Sequence, residues 1–262
     1  MDKPIGIFDS GVGGLTVAAA IKRQLPGESF IYFGDTKHSP YGDKSGDTIR
    51  RYSSEISEFL LAKDCKAIVI ACNTASALAY DELVKKHPNL PILNVVDPVA
   101  QFVASQKPEK IGIIATRATT KSKIYKKRLL EINTNLIIED AATPLLVGLV
   151  EEGFLNTEVS KAAIKQYLQH PKFRNLDSLI LGCTHFPLLQ KEIEIFFKGK
   201  THVVDSPELV AKELAKILKG KNLLCENEEG QYQFYVSEKT AAFSKIAKNF
   251  FGENIQLKEK QL

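Results

Sequence analysis

Short apolar runs alternating with amphipathic stretches along nearly the whole chain restrict the fold more than any other feature. Strand-like runs lie at Pro4 to Phe8, Phe30 to Phe33, Ala67 to Ala71, Pro91 to Val95, Ile111 to Ala115, Leu136 to Ile138, Leu179 to Leu181 and His202 to Val204. Between them fall helix-like segments such as Thr48 to Leu61, Lys121 to Ile132, Val159 to Leu168 and Ser206 to Leu218. Strands apolar on both faces belong in parallel sheets, because each crossover lays a helix over one face. The expected fold is α/β: two pseudo-symmetric, doubly wound parallel-sheet domains with the active site between them. Residues 1–97 and 207–262 would form the first domain and 98–206 the second. The boundaries fall at Asp97-Pro98, read as a proline turn after a strand, and at Asp205-Ser206-Pro207. The last segment, with a strand at Gln231 to Val236, would return to the first half.

Ligands of such sheets bind beyond the carboxyl ends of the strands. Those ends read Asp9-Ser10, Gly34-Asp35, Cys72-Asn73-Thr74, Thr116, Cys183-Thr184-His185 and Asp205-Ser206. Two of them are near copies: in Ala67 to Ser76 and in Ser178 to Pro187 an apolar run ends in a small residue, a cysteine and two polar residues, after which a helix begins. Two thiols presented alike from two halves suggest one pocket with a reactive group on each wall, which is what inverting a carbon centre requires. A helix N-terminus, with Thr74 as the expected cap of the first helix and Pro187 in an early turn of the second, should lower each thiol pKa. Cys65 and Cys225 lack that context and are read as structural.

Composition narrows the class. At 262 residues, 44% hydrophobic and 25% charged, the chain can bury a substantial core. The net charge of +4 is scattered apart from Lys121, Lys123, Lys126, Lys127 and Arg128, which form a solvated helix face without interleaved aromatics beyond Tyr125. No nucleic-acid partner is expected. Asp9, Ser10 and Gly11 interrupt the only apolar run near the N-terminus, and no stretch approaches a bilayer span, so a cytoplasmic protein with no membrane partner and reduced thiols is expected.

The loop Asp9-Ser10-Gly11-Val12-Gly13-Gly14 resembles a nucleotide loop, with Asp35 at a tempting distance for a ribose. The spacing fails, because the third glycine would fall at Thr16 and Asp9 would set a negative charge beside a pyrophosphate. A tight turn is the better reading, in which Ser10 and the Gly11 amide meet a carboxylate and Asp9 faces a thiol. His185, two residues after Cys183, could exchange protons with that thiol as a neutral imidazole. Cys72, Cys183, Asp9 and His185 are zinc-ligand types, but they lack the two-residue gap of most structural zinc pairs. Pro40-Tyr41-Gly42 is a turn by default, although Tyr41 can cover a pocket, and Lys37, His38 and Ser39 read as exposed loop.

Asp9 to Gly14, Gly34-Asp35, Pro40-Tyr41-Gly42, Ala71 to Ser76, Val150-Glu151-Glu152-Gly153 and Gly182 to Pro187 together resemble the glutamate racemase family, in family order from residue 5 to about 207. The resemblance implies a cofactor-independent enzyme interconverting L- and D-glutamate for peptidoglycan synthesis, with a small-molecule substrate and room for a homodimer. It makes Cys72 and Cys183 the acid/base thiols, with Asp9 assisting the first and His185 the second. Asp9, Ser10, Tyr41, Gly42, Asn73, Thr74, Glu151, Thr184 and His185 fall at substrate-binding positions. Thr36-Lys37-His38-Ser39 departs from the family, which usually carries arginine and an apolar residue before the proline. An aspartate or hydantoin racemase, or a non-catalytic two-domain binder closing on an anionic ligand, stays open as an alternative. The binder has no use for two matched thiols.

Overall fold

The computed structural model describes residues 3–239, 241–252 and 255–262. Among the described residues ten strands form two sheets: β1 (Ile5–Asp9), β2 (Phe30–Gly34), β3 (Ala67–Ile70), β4 (Ile92–Asn94), β5 (Lys110–Ala115), β6 (Ile137–Ala142), β7 (Ser178–Gly182), β8 (His202–Val204), β9 (Tyr232–Val236) and β10 (Leu257–Glu259). The first sheet runs β10-β9-β2-β1-β3-β4 and the second β6-β5-β7-β8, with every pairing parallel. The two-sheet α/β architecture read from the sequence is the one observed.

Alternation along the strands explains the layering. In β1 and β3, Ile5, Ile7, Ala67 and Val69 face one way and pack with the helices Leu15–Gln24 and Pro207–Gly220. Phe8, Ile68 and Ile70 face the other way onto Ile49, Ile56, Ala75 and Leu83 of the helices Gly46–Ala62 and Asn73–Lys86. In the second sheet Ile111, Ile113 and Ile180 pack with Val99 and Val103 of the helix Val96–Ser105 and Leu129 of the helix Ile124–Ile132. Its other face joins the first sheet's core through Ile114, Leu179 and Leu181. One apolar body therefore connects the halves.

Three local expectations are corrected, and one strand is new. The helix expected from Lys121 to Ile132 is two helices, Arg117–Ser122 and Ile124–Ile132, separated by Lys123 in the left-handed region at φ 55°. Asp97-Pro98 is the first turn of a helix and not a turn after a strand, since proline loses no helical bond there. β6 extends through Glu139 and Asp140, polar residues that a half-exposed edge strand tolerates. The edge strand β10 has no apolar alternation to announce it. Among the described residues no helix is long and apolar enough to cross a membrane.

Candidate active site

Both cysteines of the repeat sit just beyond a strand's carboxyl end. After β3, Cys72 is the N-cap of Asn73–Lys86, and its Sγ accepts the Ala75 amide at 3.5 Å, so the thiol caps the helix in place of the expected Thr74. Cys72 also donates to Ser10 Oγ at 3.7 Å. Burial, with the Asp9 charge adding to it, pushes the Cys72 thiol up to about 12. The lowering expected from a helix N-terminus is outweighed, because the Ala75 and Ser10 backbone and the Ser10 hydroxyl do not replace the lost water.

Asp9 ends β1 and is completely buried. The Gly11 amide donates to its Oδ1 at 2.9 Å, and Thr184 Oγ1 donates to its Oδ2 at 3.3 Å. The turn amide expected to meet a carboxylate is thus taken by Asp9 itself. Burial raises the Asp9 pKa against the opposing pull of the His185 charge and the Gly11 and Gly14 backbone.

After β7, Cys183 and Thr184 lead into a short 3-10 turn, Phe186–Leu189, with Pro187 in its first two positions. His185 Nδ1 stands 3.8 Å from Cys183 Sγ and its Nε2 2.9 Å from Glu151 Oε1. Burial pulls the imidazolium down. The bonds and charges of Cys183 and Glu151 outweigh it and lift His185 to about 10, so the ring is cationic at neutral pH rather than neutral as expected.

The two walls meet because glycines let them. A Cβ on Gly13 would lie 2.3 Å from Thr184 Oγ1 and 2.7 Å from His185 Nδ1, so only glycine lets the first half's loop lie against the second half's. A Cβ on Gly42 would stand 2.8 Å from Thr116 Cβ. Hydroxyls bridge the same seam: Thr74 Oγ1 lies 2.9 Å from Thr116 Oγ1 and 3.1 Å from Thr119 Oγ1, and Tyr125 OH donates to Asn73 Oδ1 at 2.6 Å.

The resulting cavity is narrow, with about 20 Å³ open to a water-sized sphere. Ser10, Ser39, Pro40, Tyr41, Gly42, Cys72, Asn73 and Thr74 line it from one side, and Thr116, Val147, Cys183, Thr184 and His185 from the other. Every site residue inferred from sequence is at this cavity or directly behind it. Asp9 stands behind the cavity, bonded across the seam to Thr184 of the second wall, and Glu151 stands behind that wall through His185. Sequence reasoning missed Val147, Thr119, Tyr125 and Tyr32, whose hydroxyl donates to Gly11 O at 2.7 Å. It also read His38 as exposed loop, whereas His38 is half-buried, stacked on Tyr52 and bonded to Asp35. Among the described residues no three His, Cys, Asp or Glu side chains gather as a metal-holding group.

A sequence profile described as Asp/Glu/Hydantoin racemase matches residues 6–214. The chain belongs to the Asp/Glu/Hydantoin racemase family. The glutamate racemase of Neisseria meningitidis is 43% identical over 256 residues, 97% of this chain and 94% of that one. The glutamate racemase of Geobacter metallireducens is 42% identical, covering 95% of this chain and 93% of the relative. The crystal structure of glutamate racemase from Francisella tularensis in complex with D-glutamate superposes with a TM-score of 0.94 at 33% identity, covering 99% and 98% of the two chains. Membership of the racemase family makes this chain an isomerase.

Proposed function

We propose that the protein interconverts L- and D-glutamate by proton transfer at Cα between two thiols, without a cofactor. The observation that carries this reading is that Cys72 and Cys183, each just past a strand of a different sheet, are both buried and line one cavity. Glutamate racemases of similar sequence, one of them solved with D-glutamate, support glutamate as the small-molecule substrate.

The amino-acid Cα–H is a very weak acid, so its removal needs exclusion of water and stabilisation of the developing carbanion. One cysteine, as thiolate, takes the proton from one face while the other, as thiol, gives its own to the opposite face. The S–H bond formed on one wall balances the S–H bond broken on the other. Both then return to their starting states by exchange with solvent. Cys72, held protonated by burial and by Asp9, rests as the acid, and Asp9 is its proton partner when it must act as base. His185, cationic between Cys183 and Glu151, serves Cys183 in the same way. Ser10, Asn73, Thr74 and Thr184 bind the substrate with hydroxyls and amides, Tyr41 and Gly42 through the backbone of their turn, and Glu151 reaches it only through His185. No lysine in these motif loops offers a Schiff base.

The same reading places the enzyme in the cytoplasm, supplying D-glutamate for peptidoglycan, and includes a homodimer. It divides the chain into 1–97 with 207–262 and 98–206, supported by β9 and β10 joining the first sheet. Purified protein incubated with L-glutamate and no added cofactor should lose optical rotation toward zero. Unchanged rotation would contradict the reading.

A further inference from the structure

We propose that His38 is a positioning residue for substrate binding: through Asp35 it fixes the Tyr41 phenol and the turn Tyr41–Asp43 that carries Gly42 along the cavity. Asp35 is buried, and its carboxylate is shared by two groups. His38 Nδ1 lies 2.9 Å from Oδ1 and 3.1 Å from Oδ2, and Tyr41 OH donates to Oδ2 at 2.6 Å. Among the described ion pairs His38 is the partner of Asp35. The imidazole is itself held, stacked on Tyr52 at 4.1 Å between ring centroids and 14° between planes. Tyr41 has one hydroxyl proton, and Asp35 takes it. The phenol therefore anchors the turn and is not a donor to the ligand.

The proposal rests on the glutamate racemase reading, and its test separates the two. His38→Ala should raise KM for L-glutamate by about five- to tenfold, the effect of losing one hydrogen bond of ordinary strength, with kcat within about twofold. His38→Asn, whose side-chain amide can stand in for Nδ1, should restore KM. Tyr41→Phe should raise KM similarly, and adding His38→Ala to it should raise KM no further, since both act through one link. The Tyr41 13Cζ resonance, identified by its loss in Tyr41→Phe, needs no turnover: it should shift in His38→Ala and return in His38→Asn. An unmoved resonance, an unchanged KM in His38→Ala, or additive effects in the double variant would overturn the proposal. Absence of glutamate turnover in the unmodified protein would strike the functional reading instead and leave the resonance to decide the His38 link.

Discussion

His185 Nε2 lies 2.9 Å from Glu151 Oε1, a contact that puts a half-exposed carboxylate behind a fully buried imidazole. Because the other ring nitrogen faces Cys183, Glu151 acts on the thiol only through the ring. Glu151→Gln removes a charge that raises the His185 pKa. The alkaline limb of kcat/KM should therefore move to lower pH, by roughly one unit for the loss of one such partner. A limb that stays in place would mean that His185 is not the group titrating there.

The same shift has a stability consequence. His185 is raised from 6.5 to about 10 in the folded state, so between those values the folded protein binds the proton that the unfolded chain has lost. That stabilisation is complete below pH 6.5 and disappears as pH rises through about 10. Urea midpoints should fall from pH 6.5 to pH 9.5, and fall less in Glu151→Gln.

Gly13→Ala tests the contact between the halves. The new methyl would sit 2.3 Å from Thr184 Oγ1 and 2.7 Å from His185 Nδ1, so loop and imidazole must separate. A displacement of this size should cost about a hundredfold in kcat, with circular dichroism unchanged. Near-normal turnover would show that the seam gives way without disturbing the reacting groups.

Replacing Cys72 or Cys183 by alanine should abolish racemisation in both directions with the fold intact, because each thiol is used once per turnover. Alanine at Cys65 or Cys225 should retain activity. Cys65 is buried in the connection between the helix Gly46–Ala62 and β3, and Cys225 lies in the connection before β9, both away from the cavity. Comparable activity in all four variants would contradict the two-thiol assignment.

Far from the cavity, Lys66 Nζ meets Glu28 Oε2 at 2.6 Å with both side chains almost fully buried, and the Cys225 amide donates to Glu28 Oε1 at 2.7 Å. Glu28→Ala leaves a buried ammonium without its partner and should cost about 3–5 kcal/mol in urea denaturation, with little change in KM. A loss under about 1 kcal/mol would show that Lys66 finds water instead.

What could be read from sequence depended on how local the signal was. Cys72 and Cys183 were legible because each follows an apolar strand within one of two near-identical stretches, and most of β1 to β9 because their apolar runs are short and bounded. Three kinds of feature were hidden. The Asn73–Tyr125 and Thr74–Thr116 bonds join residues 52 and 42 positions apart, which no local pattern announces. Lys123 breaks a helix without glycine or proline. The thiol and imidazole pKa values depend on burial and on partners across the seam, so helix-end reasoning alone put Cys72 on the wrong side of its ordinary value and His185 in the wrong charge state.

The paired-thiol mechanism is tested most directly by hydrogen isotope transfer in deuterated water, at low conversion from L-glutamate. The donor thiol equilibrates with solvent before each turnover, while the abstracted proton stays on the opposite wall. The D-glutamate formed should carry deuterium at Cα, and the remaining L-glutamate should stay protiated. Substantial protium at Cα of the early D-glutamate would mean that one group both removes and returns the proton, and would contradict the assignment of Cys72 and Cys183 to opposite faces.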